Sequence, residues 1–497
     1  MARQLTMLAI IALVAPLSLS AQQRVDDRSS TRRTLSLDEA IDAALHRGEE
    51  VQIAEAGVRA AEGGIAVATS GMLPQIAASA NYTRTLKSQY SMSTNAPDTS
   101  QISKALSSLF SSFPFGKENV WTLGLTASQS IFTGGRLSAQ REAAQARKRS
   151  ADIDLTAAEA QVMLNVTQSY YDAELSDTLV QISQDALKQA EEVYKQVQLA
   201  YEVGEKAEFD ALRAKVARDN QIPILLQSQS DRAQAYYRLK QLLNFSLDDS
   251  LVLTTPVVDS LARFASRSDT AEDARAPVRQ AMENITASDA QIRIAEAARW
   301  PQITASSSYS PVAYPNQFFP NNNDWLSNWT AGVTLSLPLY TGGNIGGNID
   351  QARATRDQAS GRLEQAREAA AMDARSSIDA LHTSEANLRS TASTASEAAR
   401  AYEIAHLRYT QGISTQLELD DARLQEEQSR ANWARAVRNY QVARAKLALL
   451  KDLPVSPAQA AAPLQGAVMQ QSSPSLQSSA GPSASSAMGG SASPTGQ

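Results

Sequence analysis

The chain states one architecture twice, and that duplication limits what it can fold into. Leu73-Pro74-Gln75-Ile76 through Tyr82 recurs as Trp300-Pro301-Gln302-Ile303 through Tyr309. Trp121, followed by Phe132-Thr133-Gly134-Gly135, recurs as Trp329, followed by Tyr340-Thr341-Gly342-Gly343. Tyr201-Glu202-Val203-Gly204 recurs as Tyr409-Thr410-Gln411-Gly412. The Trp, Gly-Gly and Tyr-x-x-Gly landmarks all move by 208 positions (329 − 121, 343 − 135, 412 − 204). The Pro-Gln-Ile landmark moves by 227 (301 − 74), so the first copy carries about 19 extra residues between Tyr82 and Trp121. A repeat of this length makes one two-fold unit rather than two unrelated domains.

Each copy holds two segments that alternate with a period of two. In 74–84, Ile76, Ala78, Ala80 and Tyr82 oppose Gln75, Ser79, Asn81 and Thr83; 119–132 sets Trp121, Leu123, Leu125, Ala127 and Ile131 against Thr122, Gly124, Thr126, Ser128 and Ser130. Segments 301–310 and 328–340 repeat the pattern. One apolar face, one small-polar face, aromatic ends and a length of roughly 10 residues match transmembrane β-strands. After each Gly-Gly the chain runs without proline, from Phe115 to Ile222 and from Leu339 to Leu453. Val166, Ala173, Val180, Leu187, Tyr194 and Tyr201 share one heptad position, which predicts coiled-coil-like packing. A helix from Arg136 to Val203 would be roughly 100 Å long. It is expected to turn at Gly204 and return to about Leu243, with the second copy turning at Gly412 and returning to about Leu450. Pro223 interrupts the first returning helix where the second copy has Ala431, and a local kink is expected there.

The domain reading is a signal peptide over 1–20, a flexible N-terminus over 21–34 and a first structural repeat over 35–243. A linker over 244–275, a second repeat over 276–452 and a disordered tail over 453–497 complete it. The leader has Arg3, an apolar run from Leu5 to Leu17 and Ser18-Leu19-Ser20-Ala21. That pattern predicts a cut after Ser20, with an uncleaved anchor as the alternative. The run is too short to span a bilayer. The tail is rich in Ser, Ala, Gly and Pro and lacks aromatic side chains, so it is not expected to build a core.

Composition narrows the function. There is no Cys, and three His are scattered at 46, 382 and 406, so thiolate chemistry is impossible and a catalytic or His-based metal centre is not expected. The formal charge of −6 predicts no nucleic-acid partner. The Gly-Gly pairs lack a following Lys-Ser/Thr and read as strand-to-helix bends. Four strands per chain cannot close a barrel, and an open edge in lipid leaves backbone groups unsatisfied. Several copies must therefore share one barrel.

The Leu-Pro-Gln-Ile entry, the Phe/Tyr-Thr-Gly-Gly exit and the Tyr-x-x-Gly turn, all in duplicate over about 35 to 452, resemble the TolC family of outer-membrane efflux proteins. The resemblance implies a membrane α+β fold: a homotrimer whose 12-stranded β-barrel, four strands per chain, is continuous with a periplasmic α-helical barrel. It implies an outer-membrane exit duct of a tripartite efflux or type I secretion system and no enzymatic activity. The implied partners are a periplasmic adaptor, an inner-membrane transporter of RND or ABC type, and outer-membrane lipid; no cofactor is implied. The family's periplasmic gate maps onto Glu418 and Asp421, three apart on one helix face, with Tyr409 in the turn. The first copy has Asp210 and Arg213 at the acidic positions, and Ser414 stands where some members place a basic lock. Gly204 and Gly412 match the adaptor-docking tips. A secreted or periplasmic coiled-coil adaptor or adhesin without a channel is the alternative, although the lipoyl-like domain of an adaptor is not visible.

Overall fold

A computed structural model describes residues 32–87, 118–255 and 271–455. The expected signal peptide and most of the expected tail lie outside them. In chain order the elements are β1 (Arg32–Leu35), α1 (Leu37–Arg47), α2 (Glu49–Ser70), β2 (Gln75–Arg84), β3 (Asn119–Phe132), α3 (Arg136–Glu202) and α4 (Glu208–Leu242). They continue with β4 (Ser250–Leu253), α5 (Ala276–Glu296), β5 (Gln302–Tyr309), β6 (Val312–Ala313), β7 (Trp325–Leu326), β8 (Trp329–Ser336), α6 (Asn344–Thr410) and α7 (Gln416–Leu449).

The long strands form one antiparallel ladder, β2-β3-β5-β8. Directly opposed residues share a face, and the register sorts the side chains accordingly. Ile76 faces Ala127, Ala78 faces Leu125 and Tyr82 faces Trp121; Leu125 faces Tyr309; Ile303 faces Leu335, Ala305 faces Val333 and Tyr309 faces Trp329. The four strands thus gather most of their apolar residues on one side and Thr, Ser, Gly and Asn on the other, with Ser307 and Gln129 exceptions on the first face and Ala77 and Val120 on the second. Ile76, Val333 and Leu335 are 71%, 72% and 66% exposed, so among the described residues most of this face is uncovered. Tyr82, Trp121, Tyr309 and Trp329 mark its loop end, while Trp300 and Tyr340 mark its helix end. The outer edges of β2 and β8 have no strand partner among the described residues. Among those residues no helix is long and apolar enough to cross a membrane.

Both strand-to-helix bends use the same backbone device. Gly134 and Gly135 have φ of +62° and +85°, and Gly342 and Gly343 have +60° and +85°. Only glycine takes this left-handed pair without steric cost, which lets the chain swing from a strand directly into a 67-residue helix in each copy.

The heptad seam holds only in the upper part of α3. Val166 and Ala173 are fully buried, but toward the tip the buried positions become Ala186, Ala190, Val193 and Val197, while Tyr201 is 39% exposed. An α-helix drifts by about 20° per heptad against a strict seven-residue repeat, so a long helix transfers its contact stripe to neighbouring positions. Pro223 lies inside α4, which continues across it. Its ring deprives the Asp219 carbonyl of a helical donor.

The equatorial belt corrects the sequence reading in two places. The segment expected to be loose ends in β1, which pairs in parallel with β4 from the expected linker. The reason is non-local: Tyr170 of α3 donates its hydroxyl to Leu35 O (3.0 Å) and accepts from Thr255 N (2.9 Å), which ties both strands to the helix. Helices α1 and α2 meet at Gly48, and Ser36 and Glu39 close a capping box at the start of α1. The expected tail does not begin loose. Leu453 is 2% exposed within the main core, and Val455 packs against the Val278–Leu363–Ala370 cluster.

This last point predicts different outcomes for two truncations. Ending the chain after Val455 should leave the thermal melting point unchanged. Ending it after Lys451 removes a buried leucine, a loss of about 1.5–3 kcal/mol, and should lower the melting point. Equal melting curves for the two would show that the Leu453 contact contributes nothing.

Candidate functional site at the hairpin tips

Each hairpin ends in the same capped turn. Gly204 N donates to Tyr201 O and Glu205 N to Ala200 O; Gly412 N donates to Tyr409 O and Ile413 N to Arg408 O. These are Schellman-type closures that need a left-handed residue, and Gly204 and Gly412 supply it at φ +82° and +70°. A Cβ on either would meet nothing within 4 Å, so both tips present open backbone.

The two tips pack on each other. Val193 and Val197 of α3, Ala211 and Ala214 of α4 and Leu419 of α7 form one cluster, against which Tyr194, Tyr402 and Tyr409 lie. Burial, with the nearby negative charges of Asp210 and Asp420, pushes the Tyr409 hydroxyl above its ordinary value. Tyr409 therefore joins the second hairpin to the first, with Lys206 Nζ 5.7 Å from its ring centre.

Glu418 and Asp421 stand on the exposed side of α7. The backbone N–H of Glu418 donates to Thr415 Oγ1, the helix cap, and its carboxylate lies 3.9 Å from the Arg408 guanidinium. A carboxylate in the first turn of a helix sits at the positive end of the dipole. Ser414 Oγ is buried without a hydrogen-bond partner.

Hydrophobic pattern reading misses a second group on the opposite side of the same helix. Gln416, Leu419, Arg423 and Glu426 are 7%, 0%, 7% and 9% exposed. Their 3-4-3 spacing is that of a packed seam, but three of the four are polar. Asp420 Oδ2 lies 4.0 Å from Arg213 Nε of α4, and Arg423 lies 3.7 Å from Glu427. Arg430 lies 3.1 Å from Asp185 of α3, and Gln189 Nε2 donates to Glu426 Oε2 at 3.5 Å. Burial raises the carboxyls of Asp420, Glu426 and Glu427 above the usual carboxylate range, against the opposing pull of Arg423 on Asp420 and Glu427 and of Arg430 on Glu426. The two hairpins are thus joined by a desolvated, charged seam. Among the described residues no group of three His, Cys, Asp or Glu is placed to hold a metal ion.

A four-stranded sheet with an uncovered apolar face, prolonged into two helical hairpins that meet at charged tips, defines a class of membrane protein built to span the bilayer with strands and to reach away from it with helices. The chain belongs to the outer membrane efflux protein family, whose model matches residues 40–244 and 268–451; its place is the outer membrane. It is similar to nodulation protein T of Rhizobium leguminosarum bv. viciae (26% identity, 48% of this chain and 49% of that one). It is also similar to the pyoverdine export outer membrane protein OpmQ of Pseudomonas aeruginosa (23%, 77% of each). The chain spans about half the length of the two nodulation proteins it matches. Among solved structures, a membrane protein from Pseudomonas aeruginosa superimposes with a TM-score of 0.69 at 18% identity, over 84% of this chain and 93% of that one. The CmeC outer membrane channel of Campylobacter jejuni gives 0.66 at 17%, over 84% and 86%. At these identities the superpositions establish the fold.

Proposed function

We propose that the chain is one protomer of a homotrimeric outer-membrane exit duct, fed through a periplasmic adaptor by an inner-membrane transporter of RND or ABC type. The observation that carries this reading is the sheet: four strands whose apolar face is largely uncovered and whose two outer edges are open among the described residues. In lipid, the free edges of β2 and β8 must be paired. Three copies joined edge to edge make a closed barrel of twelve strands, and the helices that leave through the Gly-Gly bends descend as a shared tube. An adaptor or adhesin would have no use for an apolar sheet face with aromatic rows at both ends. Relatives are named for pyoverdine, toluene and cations. Such chemically unrelated cargo fits a duct whose wall does not select. Mass measurement in detergent should return a trimer, and a well-behaved monomer would overturn the reading.

Glu418 and Asp421 are the proposed periplasmic gate, with Tyr409 holding the second hairpin against the first, and Gly204 and Gly412 are the proposed adaptor-docking tips. Three copies of two carboxylates around a narrow axis focus a negative potential. Multivalent cations added from the periplasmic side of a planar bilayer should therefore block current through the wild type and lose most of that effect on Glu418→Gln/Asp421→Asn. Equal block of both would make these residues ordinary surface acids.

A further inference from the structure

We propose that the loop between β6 and β7 is an apolar foot set into the interfacial zone of the outer leaflet, with Phe318 and Phe319 as its lipid-contacting side chains. β6 extends the β3 ladder, pairing Trp121 with Ala313, and β7 closes the loop by pairing Trp325 with Ala313. Residues 314–324 therefore spring from the end of the sheet. The loop folds back over β2 and β3: Trp121 Nε1 donates to Phe318 O at 2.8 Å. Ring centres lie 5.0 Å apart for Tyr82 and Phe318 and 6.1 Å apart, stacked, for Trp121 and Phe319.

Tyr82 and Trp121 stand on the apolar face of the sheet, so the two phenylalanines continue the surface that meets lipid. They do so while 51% and 67% exposed. A phenyl ring left in water forgoes its burial energy, and among the described residues the two adjacent rings, in a loop otherwise made of Tyr, Pro, Asn, Gln and Asp, meet each other, Tyr82 and Trp121. The position suits them, because aromatic side chains gather where hydrocarbon gives way to headgroups. Charge raises no objection. Asp324 is the single charged residue in 311–328, and its carboxylate already accepts from Asn321 N at 2.7 Å. The opposite face of the sheet is lined mainly by Thr, Ser and Gly, with Val120 and Ala77 its apolar exceptions.

The absence of cysteine makes the test direct. Phe319→Cys gives a unique site for a nitroxide label on the full-length protein in lipid nanodiscs, with Asn322→Cys in the same loop and Val333→Cys on the apolar strand face as references. Collision rates are measured with oxygen, which concentrates in hydrocarbon, and with a water-soluble nickel chelate. The oxygen-to-nickel ratio should be several-fold higher at 319 than at 322, approaching that at 333. Nickel-dominated collisions at 319 overturn the proposal, whether the loop stands in water or turns into the lumen. The label at 333 then tells whether the lipid-facing reading of the strands fails with it.

Discussion

Asp373→Ala is expected to destabilise the folded protein by about 3–5 kcal/mol, the cost of leaving a buried charge without its partner. Arg275 caps α5 and is 0% exposed. Its guanidinium donates to Asp373 Oδ2 at 2.8 Å and to Leu453 O at 3.5 Å, while the other Asp373 oxygen accepts from Lys446 Nζ at 3.2 Å. One carboxylate therefore pins α5, α6, α7 and the start of the C-terminal segment at a single point. Without it the guanidinium keeps only carbonyl partners, and its Nε has no hydrogen bond as it stands. Denaturant melts in detergent read the loss. Arg275→Met/Asp373→Leu should recover most of it, since a packed apolar pair replaces a buried ion pair at little cost. A loss below about 1 kcal/mol for Asp373→Ala would mean that water reaches the site and that the pair is not truly desolvated.

Mild acid is expected to tighten the tips rather than loosen them. Burial raises the carboxyls of Asp420, Glu426 and Glu427 in the packed arrangement; hairpins that part would return them to their ordinary values near about 4. A group whose pKa is raised in the packed state binds its proton more tightly there, so falling pH favours packing. The stabilisation is complete below the ordinary carboxylate range and fades as pH rises through the raised values. The groups facing Asp420 are Arg423 and Arg213, with Tyr409 and Asp210 nearby; Glu427 faces Arg423 and Gln221. Glu426 faces Arg430, Gln189, Asp185 and Glu403. Because Glu418 and Asp421 are the proposed gate, the measurement belongs in the Glu418→Gln/Asp421→Asn background. There, single-channel current should fall several-fold as pH drops from neutral toward the carboxylate range. Adding Asp420→Asn and Glu427→Gln should hold it low at neutral pH and flatten the response. Current that rises with acid, or an unchanged titration in the quadruple variant, would remove the seam from any role in opening.

The strands, bends and tips were legible because each is a local rule repeated. Alternation of Ile76, Ala78, Ala80 and Tyr82 gives a two-sided strand whatever surrounds it, and the backbone required at Gly135, Gly204, Gly343 and Gly412 depends on a few neighbouring residues. The equatorial belt was not legible. Arg32–Leu35 is a strand only because Ser250–Leu253 lies beside it, more than two hundred positions away, and Leu453 is core only because α1, α3, α4 and α7 build the cluster it joins.

The same division runs through the tip. Sequence by itself determined the duplication, the period-two faces and the turn glycines, since matched spacing against a repeated frame is enough to place them; Glu418 and Asp421 were singled out by the family resemblance. Only the tertiary structure decided that Gln416, Arg423 and Glu426 are buried and that Asp420 lies opposite Arg213. Polar residues carry no hydrophobic period, and whether a charge is solvated depends on which helix covers it.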